Sequence, residues 1–170
     1  MAPRAISLMT YRNSAKQRAH FAIFVPFASN EDVGTLINVV GAPMVGYKLE
    51  FERLYSPLKI TQAYDKYPIG RIDSEYIMDT DSEGIDSIPR GAVEIAASRI
   101  SPPRISQNFM APVNDTTNKR CQEWTMEYIC YLVELGYIDV SAIEIVQSKR
   151  DPPSHGIGLQ PVGIGSIIRT

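Results

Sequence analysis

The stretch His20–Phe27 constrains the fold more than any other part of this chain. Its sequence, HFAIFVPF, is aromatic and β-branched, and it lacks the alternation of apolar and polar residues that a half-exposed strand shows. Pro26 marks its end, because proline cannot donate to a strand ladder. The stretch therefore predicts a β-strand that is buried on both faces at the centre of a sheet.

More strands follow this one, and helices come after them. Five strands are predicted, over residues 20–27, 35–41, 45–55, 60–64 and 69–78. In the third, Leu49 and Phe51 alternate with charged residues, which indicates a sheet with one wet face; the last two flank a turn at Pro68. Helices are predicted from 87 to the prolines at 102 and 103, over 118–135, and over 141–150, where Ser141 and Glu144 form a capping box. This order predicts an α+β fold, with an antiparallel sheet of four to five strands packed against two or three helices.

Length and composition indicate one domain, residues 19–150, with an N-terminal arm at 1–18 and a glycine-rich tail at 151–170. The tail is either a mobile terminus or an arm that joins copies of the chain into a homo-oligomer. A net charge of -2 gives no reason to expect nucleic acid or an anionic membrane as partner. Without a signal-like stretch or a membrane-span candidate, the expected location is cytoplasmic.

Cysteine and histidine usage limits the chemistry of the chain. The two cysteines, Cys121 and Cys130, fall in one predicted helix about 13 Å apart, which is too far for a disulfide. With only two histidines and no paired cysteine motif, neither a metal site nor a cofactor is expected.

Cys121 is the candidate nucleophile, because it lies at the start of the second predicted helix. Thr117 or Asn118 can cap that helix. If Asn118 is the cap, Cys121 is the third helical residue, and the positive end of the helix dipole favours its thiolate form. The competing interpretation places Cys121 on the apolar stripe with Trp124, as a buried and inert thiol.

A cysteine nucleophile needs a base, and the base needs a polar group that orients its ring. His20 opens the first strand and is the candidate base, whereas His155 is a weaker rival because it lies in the tail. Asn38 is a poor strand former between two β-branched residues, so a hydrogen-bonding role is expected for it. The hairpin of the first two strands can bring Asn38 to the His20 ring, which gives a Cys-His-Asn arrangement.

The order of a strand reading His-aromatic-Ala-Ile-Phe-Val, a strand with a polar residue among apolar ones, and a cysteine at a helix start resembles the circularly permuted NlpC/P60 papain-like superfamily. That superfamily includes the lecithin retinol acyltransferases and the H-rev107-type acyltransferases. The resemblance covers about residues 18–135. The chain is also similar to a group of fungal proteins that share the motif Arg120-Cys121-Gln122 followed by Glu-Trp.

The resemblance implies a permuted papain-like fold in which Cys121 is the nucleophile and His20 the general base. Asn38 stands where the acyltransferases usually carry a second histidine, and Arg120 stands where they carry asparagine. The expected function is a cysteine-dependent hydrolase or acyltransferase acting on an ester, thioester or amide. Three residues around the cysteine are candidates for oxyanion or substrate contacts: Arg120, Gln122 and Trp124, of which Trp124 also suits the core.

The alternative is a papain-like protein without hydrolytic activity. Such a protein would bind a small molecule or a partner in its pocket, or guide a non-hydrolytic rearrangement in fungal secondary metabolism.

Overall fold

A computed structural model describes residues 2–157 and shows an α+β fold with one six-stranded antiparallel sheet and three α-helices. The strands are β1 (Pro3–Tyr11), β2 (His20–Pro26), β3 (Gly34–Ala42), β4 (Gly46–Tyr55), β5 (Tyr64–Asp73) and β6 (Gly84–Asp86). The helices are α1 (Ala92–Ser98), α2 (Cys121–Glu134) and α3 (Ser141–Lys149). The strand order is β5-β1-β2-β3-β4-β6.

Strand β2 lies inside the sheet, between β1 and β3, and all seven of its residues are buried. The prediction of a central strand that is apolar on both faces is therefore confirmed.

Strand β1 corrects the prediction of an N-terminal arm with little fixed structure. It pairs with β2 from Ser7 to Tyr11 and with β5 along its whole length, and its last six residues are buried. Its side chains point alternately to the two faces of the sheet, and both faces are covered. Leu8 lies in the core under the helices, whereas Met9 and Tyr11 lie on the other side.

The two faces of the sheet differ in what covers them. The helix face carries the main core, in which Phe21, Ile23 and Phe51 pack against side chains of the helices such as Trp124 and Leu132. The opposite face carries a smaller apolar cluster formed by Met9, Tyr11, Ala22, Phe24, Leu36 and Tyr55. Because side chains alternate along a strand, neighbouring residues of β2 belong to different clusters.

Two further differences from the predicted strands have local causes. A single strand, β5, replaces the two predicted around a turn at Pro68, and β5 is an edge strand, where proline is tolerated because it need not donate outward. Strand β6 was not predicted, because three residues with a single apolar side chain give no periodic signal. It pairs with β4 and completes the other edge of the sheet.

The helix boundaries follow local backbone chemistry. Gly136 ends α2 with a positive φ of 75°, as predicted. The capping box predicted for α3 was wrong: Asp139, and not Glu144, accepts the hydrogen bond from the backbone N–H of Ser141, at 3.0 Å. No helix within residues 2–157 is long and apolar enough to cross a membrane.

Gly34 is required where β3 begins, since a Cβ there would lie 2.1 Å from the carbonyl oxygen of Val25. We expect Gly34→Ala to lower the free energy of unfolding by about 1–3 kcal/mol, the usual cost of forcing backbone apart in a packed region. Urea denaturation of the purified variant measures this loss. An unchanged midpoint would show that β2 and β3 separate at this point without cost.

Candidate functional site

Helix α2 begins later than either predicted cap, Thr117 or Asn118, would place it. Arg120 is the residue before the helix, and its backbone N–H donates to Glu123 Oε1 at 2.9 Å. Cys121 is thus the first helical residue and not the third. Asn118 instead holds the preceding loop together: it accepts from Ser106 Oγ at 2.6 Å and donates to the carbonyl of Ala111 at 2.8 Å.

The structure brings His20 and Asn38 together. The distance between His20 Nε2 and Asn38 Oδ1 is 2.9 Å, and Asn38 Nδ2 donates to the Glu50 carbonyl at 3.4 Å. Since the amide group of Asn38 faces Glu50, its oxygen must accept from the ring, so Nε2 of His20 carries the hydrogen. His20 Nδ1 is then a hydrogen-bond acceptor, and it is buried without a partner among the described residues.

Burial keeps this imidazole neutral. His20 is 1% exposed, and desolvation lowers its pKa to about 4, although the hydrogen bond to Asn38 acts in the opposite direction. A neutral ring with a free lone pair on Nδ1 has the protonation state that a general base requires.

Cys121 lies against the backbone of β2 on either side of His20. Its thiol donates to the Ala19 carbonyl, with an Sγ–O distance of 3.8 Å, and the backbone N–H of Phe21 donates to its sulfur. These contacts fall where β2 and β3 have separated, since the ladder between the two strands covers only Ile23 to Pro26 of β2. The sulfur thus contacts backbone groups of the kind that, farther along β2, form hydrogen bonds with β3.

The prediction that Cys121 is ionised by the helix start was wrong for this buried position. The side chain is 2% exposed, and desolvation raises the pKa of the thiol to about 12, against the smaller opposing effect of the Phe21 N–H. Cys121 is therefore a thiol at neutral pH.

The thiol and the imidazole reach the gap between β2 and β3 from opposite sides. His20 shares its side of β2 with Ala22 and Phe24, and its ring centroid lies 5.9 Å from that of Tyr11. Cys121 belongs to the core of the helix face. The buried Nδ1 of His20 has no hydrogen-bond partner, so the structure positions base and orienting residue but does not join the base to the sulfur.

The other predicted residues have distinct environments. Gln122 is fully hydrogen-bonded inside the protein: its Nε2 donates to the Ala19 carbonyl and to Asp151, and its Oε1 accepts from Arg18 and from the backbone N–H of Asp151. Trp124 is a core residue whose indole N–H donates to the Ile100 carbonyl at 2.9 Å. Of the three candidates for substrate contacts, Arg120 alone retains a buried donor without a partner, Nε.

His155, the rival base, lies beside residues of the β1–β2 connection. Its Nε2 is 3.2 Å from the Gln17 carbonyl and 3.3 Å from Nη1 of Arg12. The structure thus places His155 in contact with the chain before β2. Most of the predicted tail, residues 158–170, lies outside the described residues.

A charged cluster around the start of α2, in which Arg18, Arg120 and Glu123 are buried, was missed by the sequence analysis. Its members are Arg12, Arg18, Arg120, Glu123, Arg150 and Asp151. They come from three distant parts of the chain, so no local pattern marks them. The one available signal was the group of arginines within residues 1–18, the stretch predicted as an N-terminal arm.

No group of three or more histidine, cysteine, aspartate or glutamate side chains within residues 2–157 is arranged to hold a metal ion.

Residues 6–139 match a family model described as a family of unknown function, DUF6540. The chain belongs to this family. The DUF6540 match extends from β1 through α2, so it includes His20, Asn38 and Cys121. No curated protein and no solved structure matches the chain.

Proposed function

We propose that this protein is a cysteine-dependent acyl-transfer enzyme, a hydrolase or acyltransferase for an ester, thioester or amide, with a permuted papain-like arrangement of Cys121, His20 and Asn38. The observation that supports it is the state of His20. Its ring is oriented by Asn38 at 2.9 Å, its Nδ1 is buried and has no partner within residues 2–157, and the cysteine sulfur contacts the backbone of the two residues that flank His20.

The reaction starts from a neutral thiol and a neutral imidazole. Nδ1 of His20 takes the thiol proton as Cys121 Sγ bonds to the substrate carbonyl carbon, and the carbonyl electron pair moves onto oxygen. When the tetrahedral intermediate collapses, the bond to the leaving group breaks and the imidazolium returns the proton to that group. Water or another acceptor then attacks the thioester, giving its proton to His20, and the thiol is restored. The thiol must turn toward Nδ1 for this proton transfer. Because both residues are buried, the site must also open when substrate enters.

Acylation of Cys121 by p-nitrophenyl acetate tests this proposal. We expect mass spectrometry of the digested protein to find the acetyl group on Cys121, and we expect His20→Ala to slow its formation by about 10²–10⁴-fold, the usual contribution of a general base. Cys130 is the internal control, since it is partly exposed and has no comparable histidine. Acetylation of Cys121 that is unchanged in His20→Ala would contradict the proposal.

The pH dependence of the same reaction separates a general-base mechanism from simple thiolate reactivity. Since His20 must be neutral and its pKa is about 4, the acylation rate of Cys121 should rise as the pH increases through 4 and level off near pH 6. The rate at Cys130, whose pKa burial raises above the ordinary value of 9.0, should continue to rise in alkaline solution. A Cys121 rate that rises only in alkaline solution would contradict the role of His20.

The second candidate is a papain-like protein that binds a small molecule without breaking bonds. The observation that favours it is the Cys121 thiol, which is buried, has a pKa of about 12 and forms no hydrogen bond with the His20 ring. If p-nitrophenyl acetate leaves Cys121 unmodified while a ligand binds equally well to Cys121→Ser, this second function replaces the first.

A further inference from the structure

Arg120 is a buried cation without a carboxylate partner. Its side chain is 1% exposed, and its two terminal nitrogens donate to backbone carbonyls, Nη1 to Gly156 at 3.2 Å and Nη2 to Phe109 at 3.0 Å. Its Nε is buried and has no partner within residues 2–157. A buried guanidinium without a paired carboxylate is costly, because desolvation disfavours the charge and the Coulomb attraction of Glu123 offsets only part of that cost.

The nearby carboxylates are already paired with other arginines. Glu123 forms ion pairs with Arg18 at 3.4 Å and Arg150 at 2.8 Å, and Asp151 pairs with Arg12 at 2.8 Å. Residues 158–170 contain no aspartate or glutamate in their sequence. No aspartate or glutamate side chain within residues 2–157 therefore forms an ion pair with Arg120, and residues 158–170 have no such side chain.

Two further donors near Arg120 are also unpaired. They are Nε of Arg18, which is 4% exposed, and the hydroxyl of Tyr47, both of them buried atoms without a partner in the described part of the chain. Tyr47, Arg18, Arg120 and Cys121 lie within electrostatic range of one another. Three unpaired groups that can all donate, one of them on an arginine that forms no ion pair, suit a ligand that accepts hydrogen bonds and carries negative charge.

We propose that Arg120, Arg18 and Tyr47 form a binding site for a small carboxylate beside Cys121. The site itself does not depend on whether Cys121 is a nucleophile. If the proposed function holds, the bound carboxylate belongs to an acidic substrate, and that step alone rests on the proposed function. A transient oxyanion would not suffice as the occupant, since it exists only during reaction and leaves Arg120 unpaired in the resting protein. A ligand that is anionic before reaction neutralises the arginine throughout.

The arginine Nε–H signals in a ¹H–¹⁵N spectrum of the full chain test this site. We expect titration with sodium acetate, at an ionic strength held constant with sodium chloride, to shift the Arg120 and Arg18 signals along one saturable curve. Arg53 is the matched control, because it is also buried but its Nε already donates to Asp86 at 3.2 Å, so its signal should not move. Arg120→Lys and Arg18→Lys assign the two signals.

Tyr47→Phe is the decisive variant, since it removes a hydroxyl that has no partner and should therefore leave folding intact. Its acetate affinity should fall by about tenfold, the lower range for a hydrogen bond to a charged group. Cys121→Ser should bind acetate like the wild type, which separates this proposal from the enzymatic one. Inorganic phosphate is the second probe: saturable shifts with phosphate but not with acetate would overturn the carboxylate assignment. Shifts that do not saturate, or that appear equally at Arg53, would overturn the site.

Discussion

Replacing Arg53 by methionine is expected to lower the free energy of unfolding by about 3–5 kcal/mol, the cost of breaking a buried ion pair from one side. Arg53 is 2% exposed, and its Nη1 donates to Glu94 Oε2 at 2.6 Å while Nε and Nη2 donate to Asp86. Through these bonds it joins β4 to α1 and to the edge strand β6. Without it, the Glu94 carboxylate stays buried with only the backbone N–H of Arg90 as a charge-stabilising donor.

Urea denaturation at neutral pH measures this effect, and two further variants identify its cause. Arg53→Met with Glu94→Gln should recover part of the loss, since the double variant leaves no unpaired charge in the core. Lys119→Met is the control for an exposed pair, because Lys119 contacts Glu127 near the surface and such pairs contribute about 0–1 kcal/mol. A loss no larger for Arg53→Met than for Lys119→Met would show that Glu94 finds another partner or takes up a proton without cost.

Elements with a continuous local pattern were predictable from the sequence. Strand β2 has seven buried residues in a row, and α2 has an apolar stripe that ends at a glycine. Strand β1 was missed because its apolar side chains are shared between two clusters, one on each face of the sheet. Its sequence therefore lacks the regular alternation of apolar and polar residues that marks a strand with one exposed face. Pro68 was misleading because a proline on an edge strand and a proline in a turn look alike in sequence.

The candidate site was predictable only where it depends on a neighbouring pair of strands. The contact between His20 and Asn38 follows from a hairpin, since the two residues are 18 positions apart on adjacent strands. The surroundings of Cys121 were not predictable, because Arg18 and Tyr47 come to the start of α2 from distant parts of the chain. The burial that raises the thiol pKa is a tertiary effect, and it outweighs the helix dipole that local sequence reasoning considers.

His20 is expected to make the protein less stable in mild acid. Its pKa is lowered from 6.5 to about 4 in the folded protein because the buried ring cannot accept a charge. Between those two values the unfolded chain binds a proton that the folded protein does not bind, so the free energy of unfolding falls as the pH decreases. The stability that depends on His20 is fully present above pH 6.5 and is lost progressively down to pH 4, by about 3 kcal/mol in all.

Comparing wild type with His20→Gln isolates this contribution from that of the carboxylates, which titrate in both proteins. Urea denaturation at pH 7 and at pH 4 should show that the wild type loses about 3 kcal/mol more than the variant over this interval. His155→Gln should retain the wild-type loss, because it leaves the buried ring in place. Equal losses in wild type and His20→Gln would mean that the folded protein can protonate His20 near its ordinary pKa. The site would then admit water to the imidazole in the resting state, and the neutral base on which the proposed chemistry depends would be absent in mild acid.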